Sequence, residues 1–225
     1  IQSITFDGPA QEAWFDMPWG PEKHTYHEKN GKAWLAADMV MPLDRIIPAP
    51  PQGVASTVGE VRTDRRWPNK QVTWCDGGGG HTQGDRATFL QAIAEWEAKT
   101  AFRFTENCAV ANYIRLIADD EACWSYVGMI GGDQDLNLHS VCGKGPGIHE
   151  IGHALGLHHE QNRSDRDDFV DLDFNNMTQT GKDNFAKATS AVDKGAYDFN
   201  SIMHYGSYYF AVDSSKPVMT KKDGS

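Results

Sequence analysis

The stretch HEIGHALGLHHEQNRSDRD, residues 149–167, decides how the rest of the chain is interpreted. His149 and His153 are four residues apart, so on a helix both imidazoles lie on one face and point toward a common position. Gly156 is expected to end that helix, because glycine readily adopts the left-handed backbone of a sharp turn. The turn brings a third imidazole, His159, back to the first two. Three imidazoles around one point are typical of a catalytic zinc site with an open fourth position.

Glu150 follows the first of these histidines directly and is placed to reach a water held at the site. The spacing H-E-x-x-H-x-x-G-x-x-H is the metzincin signature, which is far more specific than H-E-x-x-H alone. His158 is adjacent to His159, but the count from His149 favours His159 as the third ligand. Two other interpretations remain open: an accidental cluster of core histidines, and a closed structural zinc site with Cys142 as the fourth ligand.

Composition places the chain among soluble globular proteins with an acidic balance. Of its 225 residues, 40% are hydrophobic and 23% charged, and the net charge is −10. This charge argues against nucleic acid or an anionic membrane surface as a partner, and no apolar run is long enough to span a membrane. No signal peptide opens the chain at Ile1, so we expect a processed product whose export signal has been removed. We expect a monomer.

Four cysteines are present: Cys75, Cys108, Cys123 and Cys142. An even count beside a protease-like zinc site favours an oxidising, secreted or extracellular setting, and four cysteines allow three pairings. Free thiols in a cytosolic protein are the alternative.

Differences in amino-acid composition along the sequence divide the chain into three parts. Residues 1–53 contain no cysteine, are rich in proline and end in the stiff run PAPPQG, residues 48–53. Residues 54–66 include Arg62, Arg65 and Arg66 and are expected to be an exposed linker open to cleavage, although a solvated charged face is the better explanation of the arginines taken alone. Residues 67–225 have the pattern of a packed domain.

Within these parts, short apolar runs and one amphipathic segment predict an α+β fold with a mixed sheet and two main helices. Residues 33–43 are expected to form a strand or a single helical turn. Strands are predicted over residues 71–74, 102–104, 113–117 and 136–139, and helices over residues 85–99, at the zinc motif and around 176–188.

Downstream, Ser201-Ile202-Met203-His204-Tyr205 supplies a methionine that gives the three imidazoles an apolar floor. With this SIMHY turn, the extended zinc motif and the run CWSYVG at residues 123–128, the sequence resembles the astacin family of zinc metallopeptidases. The match covers about Trp67 to the C-terminus. It implies a two-lobed catalytic domain and a zinc endopeptidase acting on protein substrates. Pro217 to Ser225 resembles a point before a final family helix, so the C-terminal end is expected to be truncated.

The resemblance also implies individual roles. His149, His153 and His159 would bind Zn²⁺, and Glu150 would be the general base. Tyr205 would be a further zinc ligand that turns to the substrate and stabilises the oxyanion. Glu160 would receive the new amino terminus after maturation. Cys123 and Cys142 match a family disulfide, which leaves Cys75 and Cys108 as the second pair.

The N-terminal residues resemble a propeptide, expected to be small and irregular, whose removal needs an activating protease or self-cleavage. Family zymogens are held inactive by the aspartate of a Phe-x-Gly-Asp segment. Leu35-Ala36-Ala37-Asp38 matches it best and makes Asp38 the expected zinc ligand of a latent form. Phe6-Asp7-Gly8 is a rival, and an ordinary surface aspartate is the alternative.

The expected activity is therefore that of a latent endopeptidase, with the strand at residues 136–139 as an edge on which substrate pairs. A zinc-dependent binding module without catalysis and a structural zinc protein remain as alternatives. Intact Glu150 and Tyr205 argue against the first, and a metal-bound Cys142 would support the second.

Overall fold

A computed structural model describes residues 6, 8–17, 20–49, 66–79, 82–119, 121–188 and 193–223. Most of the expected linker, including Arg62 and Arg65, and the rival Asp7 lie outside these residues. Strands and helices alternate in a mixed α+β arrangement, which confirms the predicted class. In the described part of the chain, no helix combines the length and apolarity needed to cross a membrane.

The N-terminal segment is built from five antiparallel strands rather than irregular chain, so the expectation of an irregular segment was wrong. They are β1 (Gln11–Met17), β2 (Gly20–Lys29), β3 (Lys32–Trp34), β4 (Met39–Pro42) and β5 (Ile46–Ile47). Asn30 and Gly31 both have positive φ, 54° and 70°, which is the turn chemistry of a tight two-residue hairpin between β2 and β3. Pro21 and Pro42 lie near strand ends, where a missing amide donor is tolerated.

The stretch at residues 33–43 is neither one strand nor a helical turn. β3 and β4 pair with each other, and a bend at residues 35–38 separates them. The backbone of Leu35 donates to Met39 O at 2.9 Å, which closes this bend. Trp34 before it is buried edge-on against Trp124, which anchors the bend on the following domain.

The following domain supplies five strands to the same sheet, together with two helices. The strands are β6 (Gln71–Gly79), β7 (Arg103–Glu106), β8 (Tyr113–Ile117), β9 (Trp124–Tyr126) and β10 (Asp133–Asn137), and the helices are α1 (Gln83–Lys99) and α2 (Lys144–Ala154). The sheet order is β5-β1-β2-β3-β4-β9-β10-β8-β6-β7. The N-terminal segment and this domain therefore share one continuous sheet.

Strand β10, which contains the start of the predicted substrate edge, lies inside the sheet. It pairs with β8 in parallel and with β9 antiparallel, so the prediction of an edge at residues 136–139 was wrong. The outer side of β9 is paired in parallel with β4 of the N-terminal segment. Sequence patterns report burial along a strand but not which strand comes to lie beside it, which explains the error.

The helices α1 and α2 pack together at a close approach. A Cβ on Gly147 would lie 3.2 Å from the Cβ of Ala92, so a side chain there would crowd the contact between the helices. Thr82 and Asp85 cap the start of α1 reciprocally, which satisfies two amide donors at its N-terminus. The shared core is apolar, with Phe89, Leu116 and Ile151 fully buried.

The described residues of the range 160–223 form a second lobe with little regular structure. It contains β11 (Val170–Leu172), which pairs antiparallel with β12 (Met219–Lys221), and the six-residue helix α3 (Gln179–Asn184). The helix expected over residues 176–188 is thus much shorter. Gly181 and Asn184 are poor helix formers, and Gly181 is retained because a Cβ there would lie 2.5 Å from Phe210 Cβ.

Two disulfides are present, Cys75–Cys108 and Cys123–Cys142, and no described cysteine is free. The second joins the residue before β9 to the chain just before α2. Because Cys142 is in a disulfide, it is not a thiolate ligand, and the structural zinc interpretation loses its fourth ligand.

Candidate active site

Helix α2 and the turn after it bring three imidazoles to one point. His149 and His153 lie one turn apart on α2, which ends at Ala154. Gly156 has φ of +101° and donates its amide to His153 O at 2.8 Å, so the chain reverses there as the sequence predicts. His159 then returns to the same point, and all three imidazole side chains are at most 8% exposed.

The distances between these imidazoles match a tetrahedral metal site. The Nε2 atom of His159 lies 3.2 Å from Nε2 of His149 and 3.2 Å from Nε2 of His153. Zinc–nitrogen bonds of about 2.0–2.1 Å imply ligand atoms about 3.3–3.4 Å apart at tetrahedral angles. His159 is therefore spaced from both helix histidines as a fellow ligand of one ion would be.

The hydrogen bonds behind the rings explain why a cation fits. His149 Nδ1 donates to Ile202 O at 2.7 Å, and His153 Nδ1 donates to Leu157 O at 2.8 Å. In a neutral imidazole this proton on Nδ1 leaves a lone pair on Nε2. Lone pairs that converge at such short range repel one another unless a positive ion lies between them. The residues present thus fit zinc, with carbonyl groups that hold two of the rings in place.

Asp38 from the N-terminal segment completes this group. Its carboxylate oxygens lie 3.3 Å from Nε2 of His149, 3.8 Å from that of His153 and 3.1 Å from that of His159. The hydroxyl of Tyr205 donates to Asp38 Oδ1 at 3.2 Å. Burial opposes ionisation of this carboxyl, but the neighbouring histidines prevail and hold its pKa well below its ordinary value. A carboxylate at this position has the charge and the oxygen donors of a zinc ligand.

The bend that carries Asp38 is held from two sides. Asp38 O accepts the amide of Ser125 in β9 at 2.9 Å, and the amide of Ala37 donates to Asn184 Oδ1 at 2.6 Å. Asn184 belongs to α3 in the second lobe and is itself buried. The bend thus spans the space between the sheet and the second lobe. Sequence reasoning missed Asn184, because an asparagine in a short polar helix carries no signal of its partner.

Glu150 is buried beside the first histidine. Its side chain is enclosed, and Oε2 has no hydrogen-bond partner among the described residues. Burial, together with the charge of Asp38, raises the pKa of this carboxyl well above its usual value. A buried carboxyl with a high pKa and an uncommitted oxygen is suited to take up and release a proton.

From the second lobe, Tyr205 packs against His159 and Met203 packs against helix α2. The Tyr205 ring centroid lies 4.3 Å from that of His159, and its amide donates to Gln161 Oε1 at 3.0 Å. Burial, then the charge of Asp38, raises the pKa of the Tyr205 hydroxyl well above its ordinary value, so it remains a proton donor. Met203 Sδ lies so close to α2 that a Cβ on Gly152 would be 2.6 Å from it.

Gln161 and Gly152 are site residues that sequence reasoning missed. Gln161 offers no local signal. Gly152 offered one, since a glycine inside a helix costs about 1 kcal/mol relative to alanine and usually has a packing reason.

Two residues of the zinc motif have other surroundings. Glu160 Oε1 accepts the amide of Asp198 at 2.9 Å and lies 3.5 Å from Arg163 Nη1, so its role toward a new amino terminus stays a prediction. His158 lies not with the three imidazoles but in a separate group with Glu22 and His24. Burial lowers the pKa of His158 to about 4.

A twisted mixed sheet over two helices, three converging imidazoles, an adjacent glutamate and a methionine turn define a metzincin-type zinc domain. Comparison with known sequences narrows this class. The sequence model of the peptidase family described as Astacin matches residues 59–225. The chain therefore belongs to the astacin family, whose metalloproteinases use zinc.

The individual relatives that the chain resembles are also zinc metalloproteinases. The zinc metalloproteinase nas-4 of Caenorhabditis elegans is 37% identical over 169 residues, which cover 72% of this chain and 52% of that protein. The zinc metalloproteinase nas-31 of the same organism is 33% identical over 225 residues, covering 90% of this chain and 36% of its own length. That alignment therefore extends well into the segment before residue 59. The chain spans about half or less of the length of these relatives.

Among solved structures, the high choriolytic enzyme 1 of Oryzias latipes, a hatching enzyme zinc-protease, is similar with a TM-score of 0.63 and 30% identity. The similarity covers 70% of this chain and 80% of that one.

Proposed function

We propose that residues 67–225 are a zinc endopeptidase that hydrolyses peptide bonds in protein substrates, and that residues 1–53 hold it latent. The observation that carries this proposal is the position of the Asp38 carboxylate, 3.1–3.8 Å from all three Nε2 atoms. Membership of the astacin family and the medaka zinc-protease support the peptidase chemistry. The two disulfides favour a secreted protein.

The catalytic roles follow from the geometry of the buried groups. When bound by His149, His153 and His159, zinc supplies a Lewis acid that polarises the peptide carbonyl and acidifies a water. Glu150, buried beside His149, accepts the proton of the attacking water and delivers it to the leaving amine. Tyr205 donates its hydroxyl proton as a hydrogen bond to the oxygen on which negative charge develops.

Strand β9 is the proposed binding edge for an extended substrate. In the present arrangement its outer amides are occupied, since Ser125 N donates to Asp38 O and Val127 N donates to Val40 O at 2.9 and 3.3 Å. When β4 leaves, the same backbone groups are free to pair with a peptide. The N-terminal segment thus covers the substrate position as well as the metal position.

Latency needs little intrinsic affinity from the Asp38 carboxylate. A ligand held in the same chain has a high effective concentration, and the bend is further held by Ser125 and Asn184. Cleavage within residues 54–66, by an activating protease or by a second copy of the chain, turns the segment into a separate and dilute ligand. Glu160 then receives the new amino terminus in place of its contact with Asp198.

A chelator experiment on processed protein tests the function. The chain is cleaved in the linker and freed of its N-terminal fragment, and hydrolysis of a quenched fluorescent peptide is followed. We expect turnover that 1,10-phenanthroline abolishes and added Zn²⁺ restores. A processed protein that binds the peptide and zinc but never cuts it would establish the binding-module alternative.

A further inference from the structure

A second group of metal-ligating side chains lies where the N-terminal segment meets the zinc-binding loop. It consists of Glu22, His24 and His158, whose donor atoms all lie within 4.8 Å of one another. Glu22 and His24 are two residues apart on β2, so they project from the same face of the strand. His158 comes from the loop after α2. The group therefore joins two parts of the chain that are distant in sequence.

The environment is that of a built site rather than a solvated charge cluster. The side chain of Glu22 is 0% exposed and that of His24 is 11% exposed, and their Oε2 and Nε2 atoms are 3.4 Å apart. The rings of His24 and His158 are stacked with centroids 5.7 Å apart and planes within 10° of parallel. A carboxylate and two imidazoles enclosed together are a donor set that zinc prefers.

A cavity lies beside the group and provides access for an ion and for water. It has a volume of about 290 Å³ and is lined by both His24 and His158. One wall comes from the N-terminal segment, including Lys23 and Leu35, and the other from the second lobe, including Asn184. Three protein ligands leave one position of a tetrahedral zinc site for a water, and the cavity beside His24 and His158 has room for it.

We propose that Glu22, His24 and His158 form a second Zn²⁺ site that clasps the N-terminal segment to the catalytic domain. Its donor atoms, now within 4.8 Å of one another, draw together to the roughly 3.3 Å of a tetrahedral edge when the ion binds. Because one ligand belongs to the domain and two to the segment, the site is complete only while the segment is docked. The ion therefore stabilises the docked state by mass action. Regulation of peptidase activity by this ion rests on the proposed latency, whereas the existence of the metal site does not.

The metal content of the full, uncut chain tests the site. After loading with Zn²⁺ and dialysis, we expect about two equivalents per chain, and about one in His24→Ala and in Glu22→Gln. His27→Ala is the matched control, since His27 lies on the same strand and contacts Asp183 instead, and it should keep about two equivalents. Glu22→Gln preserves the shape of the side chain, so it covers the case in which His24→Ala fails to fold. One equivalent in the parent, or two in all variants, would overturn the site.

Release of the segment tests the clasp without any measurement of activity. The chain is cleaved in the linker, and dissociation of the N-terminal fragment is followed by size-exclusion chromatography at increasing free Zn²⁺. At 100 times the dissociation constant of the site, release of the parent fragment should slow about 100-fold, and release from His24→Ala should not. Equal release from both proteins would overturn the clasp. An uncut chain with full peptidase activity would instead contradict the latency and leave the metal count intact.

Discussion

Replacing Asp38 with asparagine should switch on part of the peptidase activity in the uncut chain. Asparagine keeps the shape of the side chain, but its neutral amide oxygen is a poor substitute for a carboxylate ligand of zinc. In the structure the carboxylate is 1% exposed, lies within 3.1–3.8 Å of three imidazole nitrogens and accepts the hydroxyl of Tyr205. The substitution therefore removes the charge from a fully enclosed group of polar contacts.

The magnitude follows from the burial of these contacts. Breaking a buried charged group by removing one partner costs about 3–5 kcal/mol. At about 1.4 kcal/mol for each factor of ten, the undocked fraction should rise by roughly two to three and a half orders of magnitude. The backbone contacts to Ser125 and Asn184 remain in the variant. Activity of uncut Asp38→Asn should therefore rise at least about 100-fold over the uncut parent and stay below that of the cleaved protein.

The assay compares cleavage of a fluorescent peptide by intact chains, with intact mass measured before and after to exclude processing. Asp44→Ala is the matched control, because Asp44 follows the bend in the same segment and is exposed. It also removes one carboxylate charge, and the uncut variant should be as inactive toward the peptide as the uncut parent. Uncut Asp38→Asn as inactive as the parent, with both fully active after cleavage, would show that another group blocks the site.

Three further predictions concern the catalytic domain. Glu150→Gln should keep its zinc, measured by metal analysis, and lose about 10²–10⁴ in turnover once processed, because the proton acceptor is removed while the ligands survive; equal turnover would contradict the assigned mechanism. Tyr205→Phe should lower kcat by about 10²–10³ with KM nearly unchanged, as expected for a donor that acts in the transition state, whereas a raised KM at constant kcat would make it a substrate-binding residue. Replacing Cys123 and Cys142 together with alanine should lower the free energy of unfolding by about 3 kcal/mol, since that disulfide closes a short loop of the unfolded chain, and chemical denaturation would expose a smaller effect.

The spacing of the zinc motif predicted the group of three imidazoles because its geometry is local. Two histidines four apart on a helix and a glycine that reverses the chain bring three imidazoles together whatever surrounds them. The same holds for strand β8 and for most of α1, whose periodicity predicts their bounds within a few residues. The family resemblance added the methionine turn and Tyr205, which come from a distant part of the chain and which spacing alone does not place.

Only the tertiary structure determined the strand pairing and the contacts of the N-terminal segment. The proline-rich sequence predicted an irregular peptide, yet its alternating residues pair into strands that extend the sheet of the domain. The pairing of β4 with β9, rather than an open edge at β10, and the contacts of Asp38 with Ser125 and Asn184 join residues that are far apart along the chain. The group of Glu22, His24 and His158 likewise joins residues that are far apart along the chain. Such contacts depend on which surfaces the completed fold brings together, and no local pattern of side chains records them, because each partner alone is an ordinary polar or apolar residue.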